Sequence, residues 1–385
     1  MKNNNFLTFI EQYKSFRIIP DSALDSLIAS SILMKNLSEH GWDVKVNLDP
    51  KLIIDEKTEP TILINLSPID EKYQLSLKST GEYSITAYIV EKLDSVFGIE
   101  KFDKVLAIVS GLYLGLYDFK EGKFPGTEND ILKELVESGV LYEIAGLRIW
   151  GARRVGLIRA INRTLIPFLP GITGCIDRIE KILSDVFKTK DPYSIRYKEL
   201  LNENNLMVLS SLVQKIVNNL YLDLNKDPKL PYKLFGEFIL TDKRNGEEGQ
   251  EFELHEILGS LVVYASSCLN CPYDLLSISM NDLAISQIIA IYDKIIDQLS
   301  PIISASILEF FSSNKPIDPE GYIERPDLVV DMLSYIEKLP KNRPITILHE
   351  RGIITSLREL LRIGVEPSKA YSQCDGDQLC VVQNK

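Results

Sequence analysis

The chain has 385 residues and a formal net charge of −11, with 45% hydrophobic and 25% charged residues. That length buries a substantial core without disulfide or metal staples and leaves room for two or three domains. The acidic balance excludes a protein whose whole surface grips nucleic acid and argues against anionic membranes, so any phosphate contact must come from a local basic patch.

The opening segment, MKNNNFLTFIEQYK, has Asn where the apolar core of a signal peptide would begin, and no such peptide is expected. Residues 16–19 are short and apolar and read as a strand. Ser22 is placed to cap a helix whose apolar positions Leu24, Leu27, Ile28, Met34 and Leu37 follow helical spacing, with Gly41 ending it. Residues 42–48 and 61–66 read as strands, the second a near-continuous apolar run suited to burial on both faces. Residues 73–77 alternate, 84–93 form a helix after Gly81, and 104–116 are apolar enough for an interior helix. Strands separated by helices predict an α/β fold with a parallel or mixed sheet flanked by helices.

Residues 167–227 read as helical, with periodic segments at 176–186 and 206–220, and 225–231 (NKDPKLP) as a linker. A second, smaller α/β domain follows. It comprises a strand at 232–240, a turn at 242–250, helices at 253–268, 281–299, 302–311 and 328–339, and a strand at 345–348. Pro301 separates the two middle helices in this reading. The run 257–273 is uncharged but holds Asn270 and Pro272 and falls short of a membrane span. The tail after Pro367 is rich in Gln, Ser, Asp and Gly and is expected to be poorly ordered. The expected domains are 1–165, a helical linker 166–228, and 229–385.

The first strand-to-helix junction, Pro20-Asp21-Ser22-Ala23-Leu24-Asp25-Ser26, is the most informative site. Carboxylates there face the ligand crevice of an open sheet, where hard cations find oxygen ligands. The plainer reading is that Asp21 and Ser22 serve as helix-start residues favoured by the macrodipole. The pattern resembles a worn first motif of the DHH phosphoesterases, especially archaeal RecJ-like proteins, whose motif is His-x-Asp-x-Asp-Gly. Laid over this chain it falls on Asp21, Ala23, Asp25 and Ser26, and Asp25 alone keeps the family's ligand. Residues 105–118 (VLAIVSGLYLGLYD) resemble a later motif, with Gly115 and Asp118 as nearest equivalents. The run Leu147-Arg148-Ile149-Trp150-Gly151, with Arg153, Arg154 and residues 166–174 (IPFLPGITG), follows the RecJ-like order best.

The Asp-His-His triplet that names the family is absent, as is a Gly-Gly-Gly-His run. None of the three histidines, His40, His255 and His349, stands in a matching position. Two metal ions need several carboxylate and imidazole ligands, which the vestigial positions Asp21, Asp25 and Asp118 do not supply. The resemblance therefore implies a chain without catalytic residues, metal or cofactor. The chain resembles the archaeal version, with a degenerate active site, of the branch represented by the RecJ-like subunit of the archaeal and eukaryotic replicative helicase. That branch implies a DNA replication role in the cytoplasm, associated with the nucleoid, as a scaffold that binds the GINS complex and supports the MCM helicase. The rival reading is a manganese- or magnesium-dependent single-strand exonuclease or phosphoesterase with an unconventional site built from Asp21, Asp25, Asp55, Asp70 and Asp118. A third is a regulator that binds a nucleotide in the vestigial crevice.

Arg148, Arg153, Arg154, Arg159 and Arg163 lie close together beside Trp150. Guanidinium groups bind phosphate oxygens in pairs and an aromatic ring stacks on an unpaired base, so Arg148, Arg153 and Arg154 are candidates for contacting single-stranded DNA. The alternative is a solvated arginine face around a core tryptophan. Cys268 and Cys271 have zinc-knuckle or redox spacing, and Cys374 and Cys380 could complete four thiolates. Buried helix-end cysteines are the favoured reading, and a disulfide would suit a hyperthermophilic source.

Overall fold

The computed structural model describes residues 5–202, 205–221, 229–241, 251–281, 284–336, 339–340 and 342–383. Strands β1 (Ser15–Pro20), β2 (Asp43–Val46), β3 (Thr61–Ile64) and β4 (Gln74–Leu77) form an all-parallel sheet in the order β2-β1-β3-β4. Its register is set by Ile18 opposite both Val46 and Ile62, and by Ile64 opposite Leu77. All four residues of β3 are buried, as its unbroken apolar run requires of a strand covered on both faces. The helix Leu24–Glu39 is buried almost all round and packs against Ile85–Phe97 and Lys101–Tyr113. Each fully buried Ile or Leu there contributes roughly 1.5–3 kcal/mol. The α/β fold with a parallel sheet flanked by helices is as the sequence predicts.

Two smaller antiparallel sheets accompany it. One, in the order β5-β6-β7, pairs β5 (Leu141–Leu147) with β6 (Phe235–Thr241), and β6 with β7 (Glu251–Glu253). The other, β10-β9-β8, contains β8 (Ile347–His349), β9 (Gly352–Ser356) and β10 (Leu379–Gln383). The β5–β6 pairing crosses the domain boundaries expected at 165 and 228. The linker expected at 225–231 lies partly, and the turn expected at 242–250 wholly, outside the described residues.

Three local expectations are corrected. Ser22 does not cap the first long helix: its N-cap is Ala23, and the Ser22 hydroxyl donates instead to Asp327 (3.3 Å). The helices expected on either side of Pro301 are one helix, Ala284–Ser312. A proline inside a helix costs about 3 kcal/mol, and here Ile289, Tyr292 and Ile296 before it and Ile303, Ile307 and Phe310 after it are all buried. That helix is long and apolar enough to span a membrane, yet its Asp293 and Asp297 are paired with arginines of the fold. From Pro367 to Gln383 the tail is ordered, forming a helix (Pro367–Gln373) and β10. Its polar composition hides anchors that lie far away in sequence, above all Gln378, whose side-chain amide donates to the carbonyls of Pro20 (2.8 Å) and Leu48 (2.9 Å).

Candidate functional site

In an open parallel sheet, ligands bind beyond the carboxyl ends of the strands where the strand order reverses. Here that point lies between β1 and β3, since β2 flanks β1 on one side and the chain then crosses to the other. Asp21 follows β1, Asn65 follows β3 and Ser79 lies just beyond β4, so all three meet there. Asn65 adopts a left-handed backbone (φ 59°), which turns its side chain back to donate to Ser26 Oγ (2.8 Å) and accept from the Ser79 amide (2.8 Å).

Asp25, which the sequence resemblance aligns with a metal ligand of the DHH-type motif, has 0% exposure. Its carboxylate accepts four hydrogen bonds: from Ser79 Oγ (2.6 Å), Thr86 Oγ1 (2.7 Å), and the amides of Ile85 and Thr86 (3.1 Å each). Those amides open the helix Ile85–Phe97, so the carboxylate holds a helix start, where the dipole favours negative charge. Behind it Ser110 Oγ donates to Thr86 Oγ1 (3.1 Å), and Glu128 accepts from the Ser84 amide (2.6 Å). Burial raises the pKa of Asp25, and the four donors oppose that rise. With its oxygens engaged by neutral donors, Asp25 is not placed to share a divalent ion.

Asp21 is different. It is buried, its Oδ1 accepts from the Ala23 amide (3.2 Å), and desolvation pushes its pKa up to about 6 against the attraction of Arg358. It lines a crevice of about 410 Å³ with Asn65, Ser79, Tyr113, Asp331 and Arg358. The far wall comes from the helices Asp327–Tyr335 and Leu357–Arg362. Arg358 pairs with Asp331 (2.5 Å) and donates to the Tyr113 hydroxyl, which itself donates to Asp331 (2.9 Å). Arg325 pairs with Asp327. Burial would raise the pKa of Asp327, but the charges of Arg325 and Arg358 prevail and hold it low. The crevice thus has an acid–base balance of its own making, and sequence reasoning missed Tyr113, Asp331 and Arg358. Only the topology could have revealed them, since Arg358 lies 245 residues from Tyr113.

The remaining candidates lie elsewhere. Asp118 sits in an exposed turn, accepting from the amides of Lys120 (2.9 Å) and Glu121 (3.0 Å), which hold its pKa low. Asp55 is exposed in a short helix, and Asp70 accepts from the Lys72 amide (3.0 Å). Among the described residues no three His, Cys, Asp or Glu side chains group as a metal would require. The residues present therefore do not fit a two-metal centre. Cys268 bonds to Cys271 and Cys374 to Cys380, so the four thiols form two disulfides instead of a shared zinc site.

The arginines expected to contact DNA are engaged within the protein. Arg148 is 2% exposed, donates to the Tyr232 carbonyl (2.9 Å) and lies over the Phe119 ring (4.4 Å). Burial lowers its pKa. Arg153 pairs with Glu237 (2.7 Å) and Glu251 (3.3 Å), and Arg154 with Glu256 (2.9 Å) and Asp293 (2.5 Å). Arg163 pairs with Asp293 (3.0 Å) and Asp297 (2.5 Å). Trp150 is a core residue, stacked on Tyr292 and donating to Ser260 Oγ (2.8 Å). These placements count against a DNA contact at Arg148, Arg153 and Arg154.

No family model matches the chain, and neither does any curated protein. Its fold does match a solved structure, CDC45 from Entamoeba histolytica. The TM-score is 0.57 at 9% sequence identity, over 96% of this chain and 90% of that one. At that identity the likeness concerns the fold, and it spans nearly the whole of both chains.

Proposed function

We propose that this chain is a catalytically degenerate RecJ-like scaffold in DNA replication, one that binds the GINS complex and supports the MCM helicase without metal or cofactor. The observation that carries the reading is Asp25. The position where the DHH-type motif keeps a metal ligand here holds a carboxylate fully engaged by Ser79, Thr86 and the start of a helix. A fold like that of CDC45 over 96% of the chain supports the same reading. The acidic surface suits a protein partner better than a nucleic acid. A single-stranded DNA contact at Arg148, Arg153 or Arg154 would have to compete with their internal partners, Tyr232, Glu237, Glu251, Glu256 and Asp293.

The test is binding to purified GINS, followed by co-elution in size-exclusion chromatography and by calorimetric titration at micromolar concentrations. The expected result is a stable complex that also retains MCM when the three are mixed. Separate elution, with no heat on titration, would overturn the assignment of GINS as partner.

A further inference from the structure

The carboxyl-terminal turn, residues 374–380, lies against the sheet end that lines the crevice. Cys374 and Cys380 face one another across an antiparallel bridge and are joined by a disulfide. Both are buried, in an apolar cluster built jointly by Ile19, Leu63 and Leu66 of the first sheet and Leu357, Leu360 and Tyr371 of the last helices. Between the cysteines, Gln378 is fully buried with a left-handed backbone (φ 60°), a conformation costly for a side chain other than Gly or Asn. Its amide holds the Pro20 and Leu48 carbonyls, one residue before Asp21 and two residues beyond β2. Further ties come from Tyr371, whose hydroxyl accepts from the Ser67 amide (2.8 Å), and from Asp375, paired with Lys51 (3.1 Å) and Arg351 (2.6 Å).

We propose that the Cys374–Cys380 disulfide is a reversible covalent lock that holds Gln378 in place and so fixes the two walls of the crevice against each other. The crest of the turn is exposed at Asp375, while the sulfurs beneath are buried. Reduction therefore waits on opening of the turn. A small dithiol then acts in two steps. Its thiolate attacks one sulfur, breaking the protein S–S bond and forming a mixed disulfide. Its second thiolate displaces the remaining cysteine, which leaves Cys374 and Cys380 as thiols and the reductant as a cyclic disulfide. Two electrons and two protons pass to the protein. Without the cross-link, Gln378 keeps its left-handed backbone only through its own contacts. The strap then opens from the end of β1.

Hydrogen exchange followed by mass spectrometry, with and without dithiothreitol, reads this directly. In the wild type, reduction is expected to speed amide exchange roughly tenfold in residues 17–23, 45–50 and 375–380, while the central helix 101–113 is unchanged. The double variant Cys374→Ser/Cys380→Ser should exchange fast in those segments with or without reductant. Gln378→Ala, which keeps the disulfide, should speed exchange at 17–23 and 45–50 but not respond much further to reduction. Cys268→Ser/Cys271→Ser should keep the full wild-type response. Five free thiols in the protein before reduction would overturn the proposal. So would unchanged exchange in protein shown by mass to be reduced, or a response that disappears in the Cys268/Cys271 variant.

Discussion

The Asp25 carboxylate meets Thr86 twice, through the hydroxyl at 2.7 Å and the amide at 3.1 Å, so a carboxylate on one helix fastens the first turn of another. The contact joins helices Leu24–Glu39 and Ile85–Phe97, which pack together above the parallel sheet. In this fold Asp25 stabilises structure, and its removal should register as lost stability.

Thr86→Val removes one charge-assisted donor from a buried carboxylate while keeping the shape of the side chain. The expected loss is about 1–3 kcal/mol in urea unfolding, with an unchanged slope. Asp25→Ala, which strands several buried donors at once, should lose more. Equal stability of wild type and Thr86→Val would mean that the hydroxyl contact is not made.

Asp21 should give the protein a pH-dependent stability. Its folded pKa, about 6, lies above the ordinary carboxylate value of 3.8. The folded state therefore binds the proton more tightly than the unfolded state does. That contribution is fully present below about pH 4, is lost as pH rises to 6, and above 6 leaves an ionised carboxylate as a standing cost. Asp21→Asn should therefore be more stable than wild type at pH 7.5, by on the order of 2 kcal/mol, with the gap closing by pH 4. Thermal unfolding of both proteins across that range checks it.

Arg153→Met leaves Glu237 buried with one partner fewer, since the Tyr197 hydroxyl still donates to it. Breaking such a pair from one side costs about 3–5 kcal/mol. The same variant should leave the affinity for single-stranded DNA, and its dependence on salt, as in the wild type. A shallower salt slope in fluorescence anisotropy would return Arg153 to the phosphate-binding role read from the sequence.

Pro301→Ala tests the continuity of the long helix. Restoring a backbone amide at an exposed position of Ala284–Ser312 should raise stability by about 1 kcal/mol or more. A loss of stability would show that the proline shapes the helix around Gly174, whose Cβ position lies 3.1 Å from the Ser300 carbonyl oxygen.

Local periodicity was enough to read β1, β3, β4 and the helices Leu24–Glu39, Ile85–Phe97 and Lys101–Tyr113, because each buries its own apolar residues against near neighbours in the chain. What the sequence concealed depends on distant partners. The strand β5 was missed since its mate β6 begins almost ninety residues later, and the pairing needs Gly146, where a Cβ would stand 2.5 Å from the Glu237 carboxyl carbon. The arginines invited a phosphate reading because their acids, Glu237, Glu251, Glu256, Asp293 and Asp297, come from segments 84 to 139 residues away. Of the three positions the motif singled out, Asp21 lines the crevice, Asp25 lies fully buried at the start of the helix Ile85–Phe97, and the turn at 118–123 carries Asp118 to the surface.

Digestion of end-labelled single-stranded DNA by the purified protein, with manganese or magnesium, decides between scaffold and nuclease. Wild type and the Asp21→Asn and Asp25→Ala variants would be compared, with folding of each checked by circular dichroism. The scaffold reading predicts no metal-dependent cleavage by any of them. Cleavage by the wild type that requires metal and disappears in folded Asp21→Asn would contradict it, and would show that the crevice beyond β1 and β3 still assembles a metal site.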